Sequence, residues 1–85
     1  MPGISRFLGI VIAMYYNGHA LPHFHAKYGP FEITVTISDG LVEGRFPRRA
    51  LAMVLEWYAL HRTELLEDWN LARERRPLRR IDPLE

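Results

Sequence analysis

The sequence predicts an α+β domain: a four-stranded, mainly antiparallel sheet followed by C-terminal helices packed on one of its faces. Three observations predict it. Runs rich in Ile, Val, Phe, Tyr and Thr fill the first half of the chain. Gly29-Pro30 and Asp39-Gly40 punctuate those runs as hairpin signals. From Pro47 onward the apolar residues change to three- and four-residue spacing.

Residues 7–16 are apolar on both faces and read as one central, well-buried strand. Asn17-Gly18 opens a loop that Pro22 closes. The strands 23–28 and 31–38 flank Gly29-Pro30, and their register follows from arithmetic. Tyr28 faces Phe31, Ala26 faces Ile33 and Phe24 faces Val35. On the other side Lys27 faces Glu32, His25 faces Thr34 and His23 faces Thr36. Apolar meets apolar and polar meets polar, which a slip of one residue would destroy. Pro30 fits poorly in the second central position of a type I turn, so a four-residue loop is expected. Asp39-Gly40 predicts a two-residue turn pairing Ile37 with Val42, Thr36 with Glu43, Thr34 with Arg45 and Ile33 with Phe46.

Pro47 suits the first turn of a helix. Leu51, Val54, Leu55, Tyr58, Leu65, Leu66, Trp69 and Ala72 then mark an amphipathic stripe. A single helix over 48–76 would run roughly 43 Å, long for this domain. Arg62 interrupts the stripe. A break at residues 61–63 with Thr63 as N-cap is expected, giving two helices. Pro77 ends the helical part, and Pro83 marks a short irregular tail.

The 85 residues make one domain, 1–85, with a thin core. Apolar content of 48% and charged content of 25% are those of a folded globular chain. The absence of cysteine excludes a thiol nucleophile, a disulfide framework and a cysteine zinc site, and fits a reducing cytoplasm. The apolar run 7–16 is shorter than the roughly 20 residues a membrane helix needs. Arg6 ahead of it gives a faint likeness to a signal peptide, but its loss would remove much of the core, and we read the chain as cytoplasmic, without a membrane partner. Net charge is +1, with arginines clustered at 45, 48 and 49 and at 73, 75, 76, 79 and 80. Either cluster suits nucleic acid phosphates or an acidic protein. The plainer reading is a solvated surface.

Three of the four histidines, His19, His23 and His25, fall within seven residues. In a strand, His23, His25 and Lys27 share a face, joined there by Glu32, Thr34, Thr36, Glu43 and Arg45. Two imidazoles can serve as base and acid on a phosphodiester, with Lys27 and Arg45 stabilising the phosphate charge. That chemistry calls for no cofactor. An alternative is a divalent metal held by His19, His23 and His25, since imidazole is a common ligand. A third reading is a polar face that docks a partner or a second subunit. The plain alternative is that these rings only hold a loop in place. His61, alone on a helix, reads as structural, and Trp57 and Trp69 read as core.

The chain also resembles a family of small bacterial proteins known as domain of unknown function 4160. The resemblance runs nearly end to end. It rests on Pro2-Gly3-Ile4-Ser5-Arg6-Phe7, Met14-Tyr15-Tyr16 and, most specifically, His19-Ala20-Leu21-Pro22-His23-Phe24-His25-Ala26-Lys27-Tyr28-Gly29. It continues through Gly44-Arg45-Phe46-Pro47-Arg48-Arg49-Ala50-Leu51, Leu55-Glu56-Trp57, Leu60-His61-Arg62, Glu64-Leu65-Leu66, Trp69 and Ile81-Asp82-Pro83-Leu84-Glu85. It implies a cytoplasmic bacterial protein encoded beside a second small family of unknown function, 2442, in a pair like a toxin–antitoxin module. By that analogy this chain is the toxin-like half, and its partner is the small protein of the neighbouring gene. The resemblance assigns no catalytic residue. RNA is the substrate class the histidine face suggests, a homo-oligomer stays open, and a non-enzymatic interaction or metal-binding regulatory module is the alternative.

Overall fold

A computed structural model describes residues 3–16, 18 and 20–85. It has five strands and two helices: β1 (Gly3–Phe7), β2 (Ile10–Ala13), β3 (His23–Tyr28), β4 (Phe31–Thr36), β5 (Val42–Arg45), α1 (Arg48–Leu60) and α2 (Arg62–Arg73). The strands form one antiparallel sheet in chain order. The α+β class holds, with five strands where four were expected. The helices cover one face. Phe7 and Phe24 reach Trp57 with ring centroids 5.7 Å apart, and Ile10, Ile12, Ile33, Val35, Val54 and Leu65 complete the core between the layers.

The extra strand comes from the apolar run. Residues 7–16 are not one strand, because Leu8 and Gly9 turn the chain with φ of 52° and 82°. Positive φ at both central residues is the turn whose twist matches antiparallel strands. Before it, the β1–β2 register shifts between Gly3 and Ser5. The bulge lets Ile4 and Ser5 both point inward, and both are buried.

The β3–β4 register is the expected one at all six pairs, from His23 with Thr36 to Tyr28 with Phe31. The loop is shorter than expected, with Gly29-Pro30 alone joining the strands. Gly29 takes φ of 57°, while proline is held near −65°. That positive-then-negative sequence is a type II′ turn, in which proline at the second position is tolerated.

The β4–β5 pairing differs from expectation by two residues. Thr34 faces Glu43, Glu32 faces Arg45 and Val35 faces Val42. Ile37 leaves the ladder and is buried. Its carbonyl accepts a 2.6 Å bond from the Tyr58 hydroxyl, and the Ser38 carbonyl accepts one of 2.8 Å from Arg62. These helix contacts hold the five-residue connection 37–41 in place of the two-residue Asp39-Gly40 turn. A slip of two preserves which side chains share a face, so Glu43 and Arg45 still join the histidine side.

The break between the helices falls where the sequence places it, but Thr63 is not the cap. His61 ends α1 and precedes α2, with Thr63 inside the first turn. Pro47 likewise stands at the N-cap of α1, one residue outside it. The tail is irregular yet packed. Ile81 is buried, its N–H bonds the Ile4 carbonyl at 2.8 Å, and the Trp57 indole N–H bonds the Asp82 carbonyl at 2.8 Å. No helix among the described residues is long and apolar enough to cross a membrane.

Candidate functional site

The open face of the sheet is read from the registers. One row runs Arg6, Val11, Lys27, Glu32, Arg45; the next runs Ala13, His25, Thr34, Glu43; the third holds His23 and Thr36. Directly opposed residues share a side, so Lys27, Arg45, His23 and His25 are brought to one surface. The first row carries three cations and one carboxylate, a net positive strip beside the imidazoles.

The two rings lie next to each other, with centroids 5.2 Å apart. His23 Nδ1 is 2.7 Å from the Leu21 carbonyl oxygen. A carbonyl only accepts, so Nδ1 carries the hydrogen and Nε2 is left for other work. His25 Nδ1 is 3.0 Å from Glu32 Oε2. A carboxylate also accepts, which fixes the same tautomer and leaves Nε2 free. The His25 side chain is 21% exposed, enough for a ligand to reach it.

Aromatic residues frame the pair. Tyr15 meets His25 edge-on at 5.0 Å. Trp69 of α2 lies 5.4 Å from both His23 and Tyr16. The rings form a continuous run: Tyr15, His25, His23, Trp69, Tyr16. Trp57 and Trp69 are both buried, as the helical spacing predicts, but the Trp69 ring also lies tilted against His23. Sequence reasoning placed Glu32 on the face without its bond to His25, and it missed Tyr15, Tyr16, Arg6 and the Trp69 contact. Glu32 could have been found as the diagonal neighbour of His25 across the hairpin. Tyr15 follows the end of β2, where alternation no longer fixes a direction.

His19 lies outside the described residues, so the third ligand of the metal reading is not placed. Among the described residues no group of three His, Cys, Asp or Glu side chains is arranged to hold a metal ion. His61 packs on Trp57 at 5.4 Å and bonds Glu64 through Nδ1, which fits its structural reading. Among the described residues, the clearly displaced titration belongs elsewhere. Burial raises the Asp68 carboxyl above its ordinary value, partly offset by the Arg79 amide and charge.

Fold and site together define a small α+β protein whose sheet is backed by a helix pair and keeps a polar, histidine-bearing face open. Residues 9–70 match the model of DUF4160, a domain of unknown function. The chain belongs to that family. The matched span holds the histidine pair, Glu32, Lys27, Arg45 and Trp69; β1 and the tail lie beyond it. No curated protein and no solved structure matches the chain.

Proposed function

We propose that this protein is the toxin-like half of a two-protein bacterial module and cleaves RNA by acid–base chemistry on its open sheet face. One observation carries the chemistry: two adjacent imidazoles, each with Nδ1 held by an acceptor and Nε2 left over. His25 is the base. Its Nε2 takes the proton of a ribose 2′-hydroxyl, and Glu32 stabilises the imidazolium that forms. The 2′-oxygen attacks the neighbouring phosphorus, the bond from phosphorus to the 5′-oxygen breaks, and His23, entering the step as the imidazolium with hydrogen on both nitrogens, gives its Nε2 proton to that oxygen and keeps its Nδ1 hydrogen on the Leu21 carbonyl. The products are a 2′,3′-cyclic phosphate and a 5′-hydroxyl. Lys27 and Arg45 stabilise the charge that develops on the phosphate oxygens. The pairing with a neighbouring small protein rests on the family resemblance.

The test is expression alone and together with the product of the neighbouring gene, scoring growth and RNA integrity. Growth inhibition and RNA cleavage are expected alone and suppressed in the pair. His23→Ala and His25→Ala should each remove cleavage by about 10²-fold or more, with melting temperatures kept near wild type. Unimpaired cleavage in both variants overturns the assignment. Early melting of both instead gives the histidines a structural role.

A further inference from the structure

A groove of about 410 Å³ lies between the end of β2 and the end of α2, lined by Met14, Tyr15, Tyr16, Ala72, Arg76 and Leu78. That volume is within the usual range for small-ligand sites. Tyr15 belongs to both places: it lines the groove and meets the His25 ring at 5.0 Å. The groove is therefore one side chain away from the histidine pair. Tyr16 is 44% exposed and is braced by Trp69 at 5.4 Å, so its ring is held while much of it faces solvent. The Arg76 side chain is 65% exposed, and its ion pair with Glu74 at 3.3 Å is itself open to water.

The backbone beside the groove adds a second observation. The Arg76 N–H bonds the Leu71 carbonyl at 2.9 Å and the Arg75 N–H bonds the Ala72 carbonyl at 3.1 Å. This is the Schellman ending of a helix, whose left-handed residue is usually glycine. Here it is Arg75, at φ of 58°. A cation occupies a position where glycine would relieve strain, directly before the arginine that lines the groove. Strained residues of this kind gather at functional sites. Arg73, Arg79 and Arg80 extend the basic segment, with Glu74 as its only acidic member between 73 and 80.

We propose that this groove is a binding subsite for single-stranded RNA. An unpaired base stacks on Tyr16, Arg76 and Arg75 take the adjoining phosphates, and Tyr15 leads the strand to His25. An exposed aromatic next to cations is the combination that holds unpaired nucleotides without reading a duplex. An acidic protein would need the cations but not the braced ring. The subsite rests on the RNA-cleavage reading for its purpose, but binding can be measured apart from cleavage.

The test is fluorescence anisotropy with a labelled ten-nucleotide 2′-O-methyl uridine oligomer, which has no 2′-hydroxyl to cleave through, and, in parallel, a 2′-O-methyl RNA hairpin duplex; cleavage is followed separately on the unmethylated oligomer. The wild type should bind the single strand more tightly than the duplex. Tyr16→Ala should weaken single-strand binding about tenfold, the lower range of a lost base stack, and Tyr16→Phe should restore it. Arg76→Ala should weaken binding and lower the slope of log affinity against log salt by about 0.7, the value for one phosphate contact on a single strand. Arg76→Lys should keep that slope. His25→Ala should still bind while no longer cleaving. Wild-type binding in both Tyr16→Ala and Arg76→Ala overturns the subsite, even if His25→Ala abolishes cleavage. No binding by the wild type also overturns it. Loss of capture of the neighbouring gene's product in Arg76→Ala, with RNA affinity unchanged, makes the patch a protein interface instead. Should the oligomer bind as predicted while no histidine variant affects cleavage, the subsite stands and the catalytic reading falls.

Discussion

At the scale of single residues, Glu32 has two opposed effects. Its Oε2 holds His25 Nδ1, and in the sheet it stands between Lys27 and Arg45. It positions the base, yet it partly neutralises the strip that would receive phosphate. Glu32→Gln keeps an acceptor oxygen and removes the charge. We expect kcat to fall, by less than the roughly 10²-fold that loss of the imidazole costs, while KM for RNA falls as well. A merely structural role would not split the two constants in that way; steady-state kinetics on a short RNA decides it. Arg75 gives a second prediction. A left-handed non-glycine residue carries a penalty of about 1–2 kcal/mol, and glycine returns part of that through its freer unfolded chain. Arg75→Gly should therefore raise stability by about 0.5–1 kcal/mol, or Tm by about 4 °C in a domain of this size, while weakening RNA binding. A Tm that falls in calorimetry would show that the Arg75 side chain itself stabilises the helix end.

At the scale of elements, what the sequence reveals depends on which physical constraint sets the pairing. The β3–β4 register is legible because a slip of one would mix polar and apolar faces. A slip of two costs nothing in that pattern, and this is why the β4–β5 register is not legible. There the decision comes from Tyr58 and Arg62, which bind the Ile37 and Ser38 carbonyls from the helices. The β1–β2 turn is hidden for another reason: Leu8 adopts positive φ inside an apolar run, with no Asn or Asp to announce it. The histidine pair is legible from strand alternation alone. Its aromatic frame is not, because Trp69 approaches from a helix and Tyr15 from a loop. Asp68 joins α2 to the tail in a way only the structure shows. It is 1% exposed, Oδ1 accepts from the Arg79 N–H at 2.9 Å, and Oδ2 has no partner among the described residues. Its folded pKa is raised by burial, so folding favours the protonated form. Its unfavourable contribution is absent below the ordinary value of about 3.9, grows as pH rises toward the raised folded value, and is constant above it. Asp68→Asn keeps the Oδ1 acceptor without the charge. It should match or exceed wild-type stability at pH 7, with the difference shrinking as pH falls to 4. Thermal melts across that range check the sign, and a difference that widens on acidification contradicts it.

At the scale of the whole molecule, the sheet has two edges and protects each differently. The β5 edge is short and carries Glu43 and Arg45. It is also distorted at Gly44, whose φ is 110° and where a Cβ would sit 2.6 Å from the Glu32 carbonyl oxygen. Short length, charge and local distortion are the usual defences of a free edge. The β1 edge has Arg6 and the bulge between Gly3 and Ser5, and the C-terminal tail adds a bond to it at Ile4. Ile81 fills the core and bonds Ile4, while Trp57 and Asp68 hold the chain on either side of it. The tail thus completes the fold from outside the family-matched span. Ile81→Asp should expel it. We expect a loss of about 2–5 kcal/mol, as for removal of a buried aliphatic side chain, faster tryptic cleavage after Arg79 and Arg80, and concentration-dependent association through the β1 edge. Sedimentation velocity over a concentration series, with parallel digestion, separates the outcomes. A variant that melts early yet stays monomeric at every concentration would show that the tail supplies core packing alone, and that Arg6 and the bulge suffice to guard β1 against edge pairing.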